Sequence, residues 1–153
     1  MGDYRQLKVW EKAHQLCLAV LQTTKSFPRE EQYGLVAQLR KSAISIPSNI
    51  AEGSGRQSDG DMGRFLQIAR GSLWELAYQL RIARDLEYLP QEQWTGMTAQ
   101  CDEIGRMLHG LQAHLRRHGQ KSGSGRRGTR APEKTGGPAR SRPSNKVRKE
   151  ASD

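Results

Sequence analysis

Asn49, Glu52 and Arg56 fall at i, i+3 and i+7, and Ser72, Glu75 and Gln79 repeat those steps further along the chain. Residues three and four apart share one face of a helix. An acid, an arginine and an amide on one face are ingredients of acid–base chemistry. They are equally the ingredients of a hydrogen-bond and ion-pair network that locks two helices, and that structural role for Asn49, Glu52, Arg56, Ser72 and Glu75 is the preferred reading. No Ser–His–Asp or Cys–His arrangement, P-loop or nucleotide-binding glycine pattern accompanies them. The glycine-rich run Gly53 to Arg56 follows a helical pattern, whereas phosphate cradles precede a helix. No catalytic residue, cofactor or small-molecule substrate is therefore expected.

Metal chemistry has little to work with. Cys17 and Cys101 lie far apart inside apolar helical patterns, without a close Cys or His partner of zinc type, and read as buried free thiols in a reducing cytoplasm. His114 and His118 are four apart, but Arg116 and Arg117 between them oppose a cation. A favourable positive charge at a helix C-terminus is the simpler role.

The remaining chemistry is cationic. The chain has a net charge of +9 over 153 residues. Residues 119–153 hold ten Lys and Arg against three acids, so the first 118 residues carry only +2. That last segment has one branched apolar residue, Val147, and reads as a disordered basic tail. On the body, Lys8, Lys12, Arg40, Lys41, Arg56, Arg64 and Arg70 form the candidate surface for an anionic polymer such as RNA. An ordinary solvated face would have the same composition.

Positioning these groups falls to four helical patterns and no strand pattern. Trp10, Ala13, Leu16, Cys17, Val20 and Leu21 mark a first helix from Tyr4 to Ser26, opened by an Asp3–Gln6 capping box and closed by Phe27–Pro28. Leu35, Leu39, Ala43, Ile46 and Ile50 mark a second, starting near Arg29 or Glu30. Pro47 interrupts it: either the helix kinks there and continues, or it stops near Ile44 and restarts. The stripe keeps its phase across Pro47, which favours the kink, with Gly53 and Gly55 as the end. Ser58 and Asp61 cap a third helix whose inner face reads Phe65, Ile68, Ala69, Ser72, Leu76, Leu80 and Ala83. Ala69, Gly71 and Ser72 would let a neighbour approach. Either Leu73 or Trp74 faces outward. Leu89–Pro90 opens a fourth, with Trp94, Met97, Cys101, Ile104, Leu108, Leu111 and Leu115, ending near His118. The expected architecture is all-α: an antiparallel up-down-up-down four-helix bundle over 1–118, kinked at Pro47, with the basic tail over 119–153. The wide faces holding Trp10, Leu73, Trp74 and Trp94 suggest a subunit interface, unless they serve a wide internal core. The sequence contains no transmembrane run and no signal-peptide apolar run.

Three blocks resemble a known family: "LKVWEKAHQL" (Leu7 to Leu16), "YGLVAQLRKSAISIPSNIAEGSGR" (Tyr33 to Arg56) and "RFLQIARGSLWELAYQL" (Arg64 to Leu80). They are similar to the four-helix bundle proteins encoded by intervening sequences of 23S rRNA genes, over about residues 4 to 117. The resemblance implies a bacterial, cytoplasmic bundle that assembles as a ring-like homopentamer. It also implies distant kinship with accessory proteins of diversity-generating retroelements, which bind nucleic acid and a reverse transcriptase. No catalytic residues come with it. Ser54 stands where the family often has an aromatic residue, and Ala77 where an acid is common. The resulting expectation is a non-enzymatic homo-oligomeric scaffold binding RNA or a ribonucleoprotein, or else a protein-binding adaptor with no nucleic-acid contact.

Overall fold

A computed structural model describes residues 2–123. Four helices fill it: α1 (Lys8–Thr23), α2 (Leu35–Ser54), α3 (Asp59–Asp85) and α4 (Gln91–Gly123). The rest of the expected basic tail, from 124 to 153, lies outside the described residues.

Each helix buries a stripe with alternating steps of three and four, the spacing that keeps one seam facing its neighbours. α1 buries Val9, Ala13, Leu16 and Val20, and α2 buries Val36, Leu39, Ala43, Ile46, Ile50 and Gly53. α3 buries Leu66, Ala69, Leu73, Leu76, Leu80 and Ala83, and α4 contributes Met97, Cys101, Ile104, Leu108 and Leu115. Fully burying a side chain such as Leu39 or Ile104 contributes about 1.5–3 kcal/mol each. The packing joins α1 to α2, α2 to α3, α3 to α4 and α4 back to α1. Neighbours in sequence run antiparallel. Ser42 meets Glu75 and Ser45 meets Ser72, so residue numbers fall on α3 as they rise on α2. Arg84 lies over Trp94 and Arg70 bonds to Gln112, the same relation between α3 and α4.

The ends of the helices depart from the simple pattern. The first segment does not form one helix from Tyr4: a 3-10 turn (Tyr4–Gln6) is separated from α1 by Leu7 in an extended conformation. Asp3 caps Arg5 N at 3.0 Å instead of boxing with Gln6. Before α2, Arg29–Glu31 form a separate 3-10 turn, and Gly34 intervenes before Leu35. α2 continues through Pro47, without a stop and restart. Pro47 has no N–H for the carbonyl of Ala43. On the following carbonyls, Ser48 Oγ donates to Ile44 O at 2.8 Å and Asn49 Nδ2 to Ser45 O at 2.8 Å, reinforcing that turn.

Gly53 does not end α2. It lies inside the helix, and a Cβ there would meet Phe65 Cβ at 2.9 Å. The chain turns at Gly55, whose N–H reaches Ala51 O and Glu52 O. Ser58 Oγ accepts from Asp61 N at 3.1 Å, the cap expected for α3. Leu73 is buried and Trp74 is 72% exposed. Ile68 is half exposed, against its expected place on the inner face, and Phe65 and Ser72 are only partly buried. Gly71 faces open space, so no helix approaches it. Glu87 takes φ 61° at the end of α3, where Tyr88 N and Leu89 N both reach back to Ala83 O. Gly119 does not stop α4, which runs four residues beyond it.

Candidate nucleic-acid interface

The residues expected to act as one polar network form two separate groups. The first lies on the α2/α3 seam. Ser45 Oγ and Ser72 Oγ are 2.8 Å apart, Asn49 Nδ2 donates to Ser45 Oγ at 3.0 Å, and Ser42 Oγ donates to Glu75 Oε2 at 3.4 Å. No sequence pattern singles out Ser42 and Ser45, although both lie on α2 opposite the Ser72–Glu75 face. The second group is at the bundle end. Glu52 pairs with Arg56 one helical turn on, and the Arg56 guanidinium sits 4.7 Å from the Phe65 ring centroid. A cation over an aromatic face is attracted by about 0.5–1 kcal/mol at an exposed site. Arg56 therefore ties the end of α2 to α3 through Phe65, not through Ser72 or Glu75. Glu52 and Glu75 are exposed, and neither lines the larger surface concavities of the described residues.

The candidate cations do not gather into one patch. Lys8 and Lys41 stand exposed on α1 and α2. Lys12 pairs with Glu103 of α4 at 3.2 Å, and Arg40 Nε donates to Thr24 Oγ1 at 3.0 Å. Arg56 is held as described. Arg64 is 3.8 Å from Asp61, and an Arg70 Nη donates to Gln112 Oε1 at 2.9 Å. Of the seven, only Arg64 and Arg70 share a feature: both line grooves between α3 and α4.

Those grooves bring in residues that the sequence patterns do not pick out. One, of about 480 Å³, includes Arg64, Ile68, Gln112 and Arg116. The other, of about 420 Å³, includes Arg70, Trp74, Arg106 and His109 above a floor of Leu73, Ala77, Cys101 and Gly105. Arg106, His109 and Arg116 sit at i, i+3 and i+10 on α4, a spacing that places them on one face and is legible in principle. Burial pushes the Cys101 thiol up to about 12, with the charge of Asp102 adding to it, and raises Cys17 as well. Both thiols are therefore neutral and weakly nucleophilic at neutral pH. The His114 and His118 rings lie 4.3 Å apart, five residues before the end of α4 rather than at its terminus. Among the described residues no three His, Cys, Asp or Glu side chains gather as metal ligands.

Comparison with known proteins gives this geometry a context. Residues 5–110 match the family model described as the 23S rRNA-intervening sequence protein. Among solved structures, a protein of unknown function from the S23 ribosomal protein family of Bacteroides thetaiotaomicron superposes with a TM-score of 0.64 at 25% identity, covering 69% of this chain and 95% of that one. No curated protein matches the chain.

Proposed function

The chain belongs to the 23S rRNA-intervening sequence protein family, and on that footing we propose that it is a non-enzymatic, homo-oligomeric four-helix scaffold that binds RNA or a ribonucleoprotein in the cytoplasm. The observation that carries the reading is the surplus of surface cations. Lys8, Lys41, Arg56 and Arg64 stand exposed on a chain of net charge +9, most of it contributed by the segment that follows α4. Phosphate backbones are held by such charges through release of condensed counterions. The family's name links its members to 23S rRNA genes, in keeping with an RNA partner. No described helix is long and apolar enough to cross a membrane.

Self-assembly, as the pentamer implied by the resemblance, is part of the proposal. Leu18 and Ile44 are each 47% exposed on α1 and α2, apolar surface that a neighbouring subunit would cover.

The test is RNA binding by the full chain as a function of salt. Reversing charge at Arg40, Lys41, Arg56 and Arg64 is expected to weaken binding and flatten the dependence. Each phosphate no longer held should take roughly 0.7–0.9 off the slope of log K against log salt. Unchanged affinity would remove these body cations from the interface. If replacing the ten Lys and Arg of 119–153 abolished binding by itself, the tail would be the polyanion hook. If no RNA bound at all, the protein-binding adaptor would take over. That second reading is favoured by Lys12, whose charge is already paired with Glu103 inside the chain.

A further inference from the structure

We infer that the α3/α4 seam is a track for an unpaired RNA segment, with a base stacked on Trp74 and phosphates on the arginines along its rims. The inference rests on the RNA-binding reading above and locates the contact within it.

Trp74 is 72% and Tyr78 66% exposed, one helical turn apart on the outer face of α3. The core stripe of α3 is complete without them, so these rings are not needed for folding. Two large rings left in water on one face offer flat π surfaces. Stacking on such surfaces is how proteins hold bases without reading their sequence.

The charges around them fit a nucleic-acid strand. Arg70 and Arg106 flank the groove beside Trp74, and Arg64 and Arg116 flank the next one along. Against these four arginines the two grooves contain Asp102 and Asp59. The Arg70–Gln112 hydrogen bond joins the grooves, since Arg70 lines one and Gln112 the other. From Gly63 to Ala77 the track follows α3 for about 20 Å at 1.5 Å per residue, room for a few nucleotides. Arg106 and His109 make no hydrogen bond or ion pair among the described residues and are available to a ligand.

A duplex does not suit this surface. Base faces inside an A-form helix are already stacked, whereas loops and ends can splay a base onto an aromatic ring. Two copies docked seam to seam would set the same arginine rims against each other, and a head-to-tail ring contact, which pairs unlike faces, is the outcome that sedimentation reads.

The experiment uses the full chain, a labelled 12-nucleotide oligouridylate, and the same strand annealed to oligoadenylate. Trp74→Ala is expected to weaken oligouridylate binding about 5- to 160-fold, the loss of one stacked base. Trp74→Phe should retain most of the affinity, and duplex binding should be unchanged by either variant. The pair Arg106→Gln and Arg116→Gln should lower the salt slope by up to about 1.4. If Trp74→Ala bound like the parent while reversal at Arg40, Lys41 and Arg56 still weakened binding, the RNA-binding reading would stand and this location would be wrong. If neither probe bound the parent, both would fall. If Trp74→Ala instead produced a smaller species in sedimentation, the seam would be a subunit contact and the inference would be overturned.

Discussion

Gly53 offers the sharpest test of how α2 and α3 are held together. A Cβ at this position would lie 2.9 Å from Phe65 Cβ, 3.3 Å from Met62 O and 3.6 Å from Met62 Cα. Two of those three atoms are main chain, and the third is anchored directly to it. None can swing away as the tip of a long side chain would. Alanine here must push α3 outward beside the tight α2/α3 turn. Overpacking of this kind costs about 1–3 kcal/mol. The substitution also gains helix propensity, but Gly53 is one residue from the end of α2, so the opposing gain is closer to about 0.5 than to the roughly 1 kcal/mol of a helix interior. The net expectation for Gly53→Ala is a loss of about 0.5–2.5 kcal/mol. Gly71→Ala supplies the control. Gly71 is also inside a helix, but its Cβ position faces open space, so only the propensity gain remains, on the order of 0.5–1 kcal/mol. Urea unfolding followed by circular dichroism measures both. With a denaturant slope of about 1–3 kcal/mol/M, the two midpoints should move in opposite directions from the parent by about 0.2 M or more. A Gly53→Ala protein at least as stable as the parent would refute the claim that glycine is there for close approach.

Two further outcomes follow from the same packing. In a double-mutant cycle of Ser45→Ala and Ser72→Ala, the 2.8 Å contact between the hydroxyls should appear as a coupling of about 0.5–1.5 kcal/mol, and simple additivity would remove it from the α2/α3 seam. Cys101 should resist thiol reagents in the folded protein. Its folded pKa is raised from 9.0 to about 12, so its stabilising effect is whole below pH 9 and is lost as pH climbs towards 12. Rapid labelling at neutral pH without unfolding would contradict its burial.

The second helix is easy to read because its sequence leaves little choice. Leu39, Ala43, Ile46 and Ile50 are its regular apolar series, and the phase they set carries across Pro47. The third helix is harder to read for the opposite reason. Phe65, Leu66, Ile68, Ala69, Leu73, Trp74, Leu76, Ala77, Tyr78 and Leu80 spread apolar residues nearly all round it. A hydrophobicity count then accepts several stripes, and the one containing Phe65 and Ile68 looks as good as the one containing Leu66 and Leu73. What selects among them is the demand that α2 and α4 both be met, which a strict alternation of three and four satisfies and the looser stripe does not. The same ambiguity hides the candidate interface. Reading Trp74 as possible core conceals that it stands on the surface. Treating cations helix by helix conceals that Arg64 and Arg70 face Arg106 and Arg116 across a seam. No spacing within one helix reveals that pairing, because it arises only when α4 runs antiparallel beside α3. Residues that serve the fold declare themselves by periodicity along one segment. Residues that serve a partner are assembled across segments, so Trp74 and the arginines around it become a single surface only once the helices are packed.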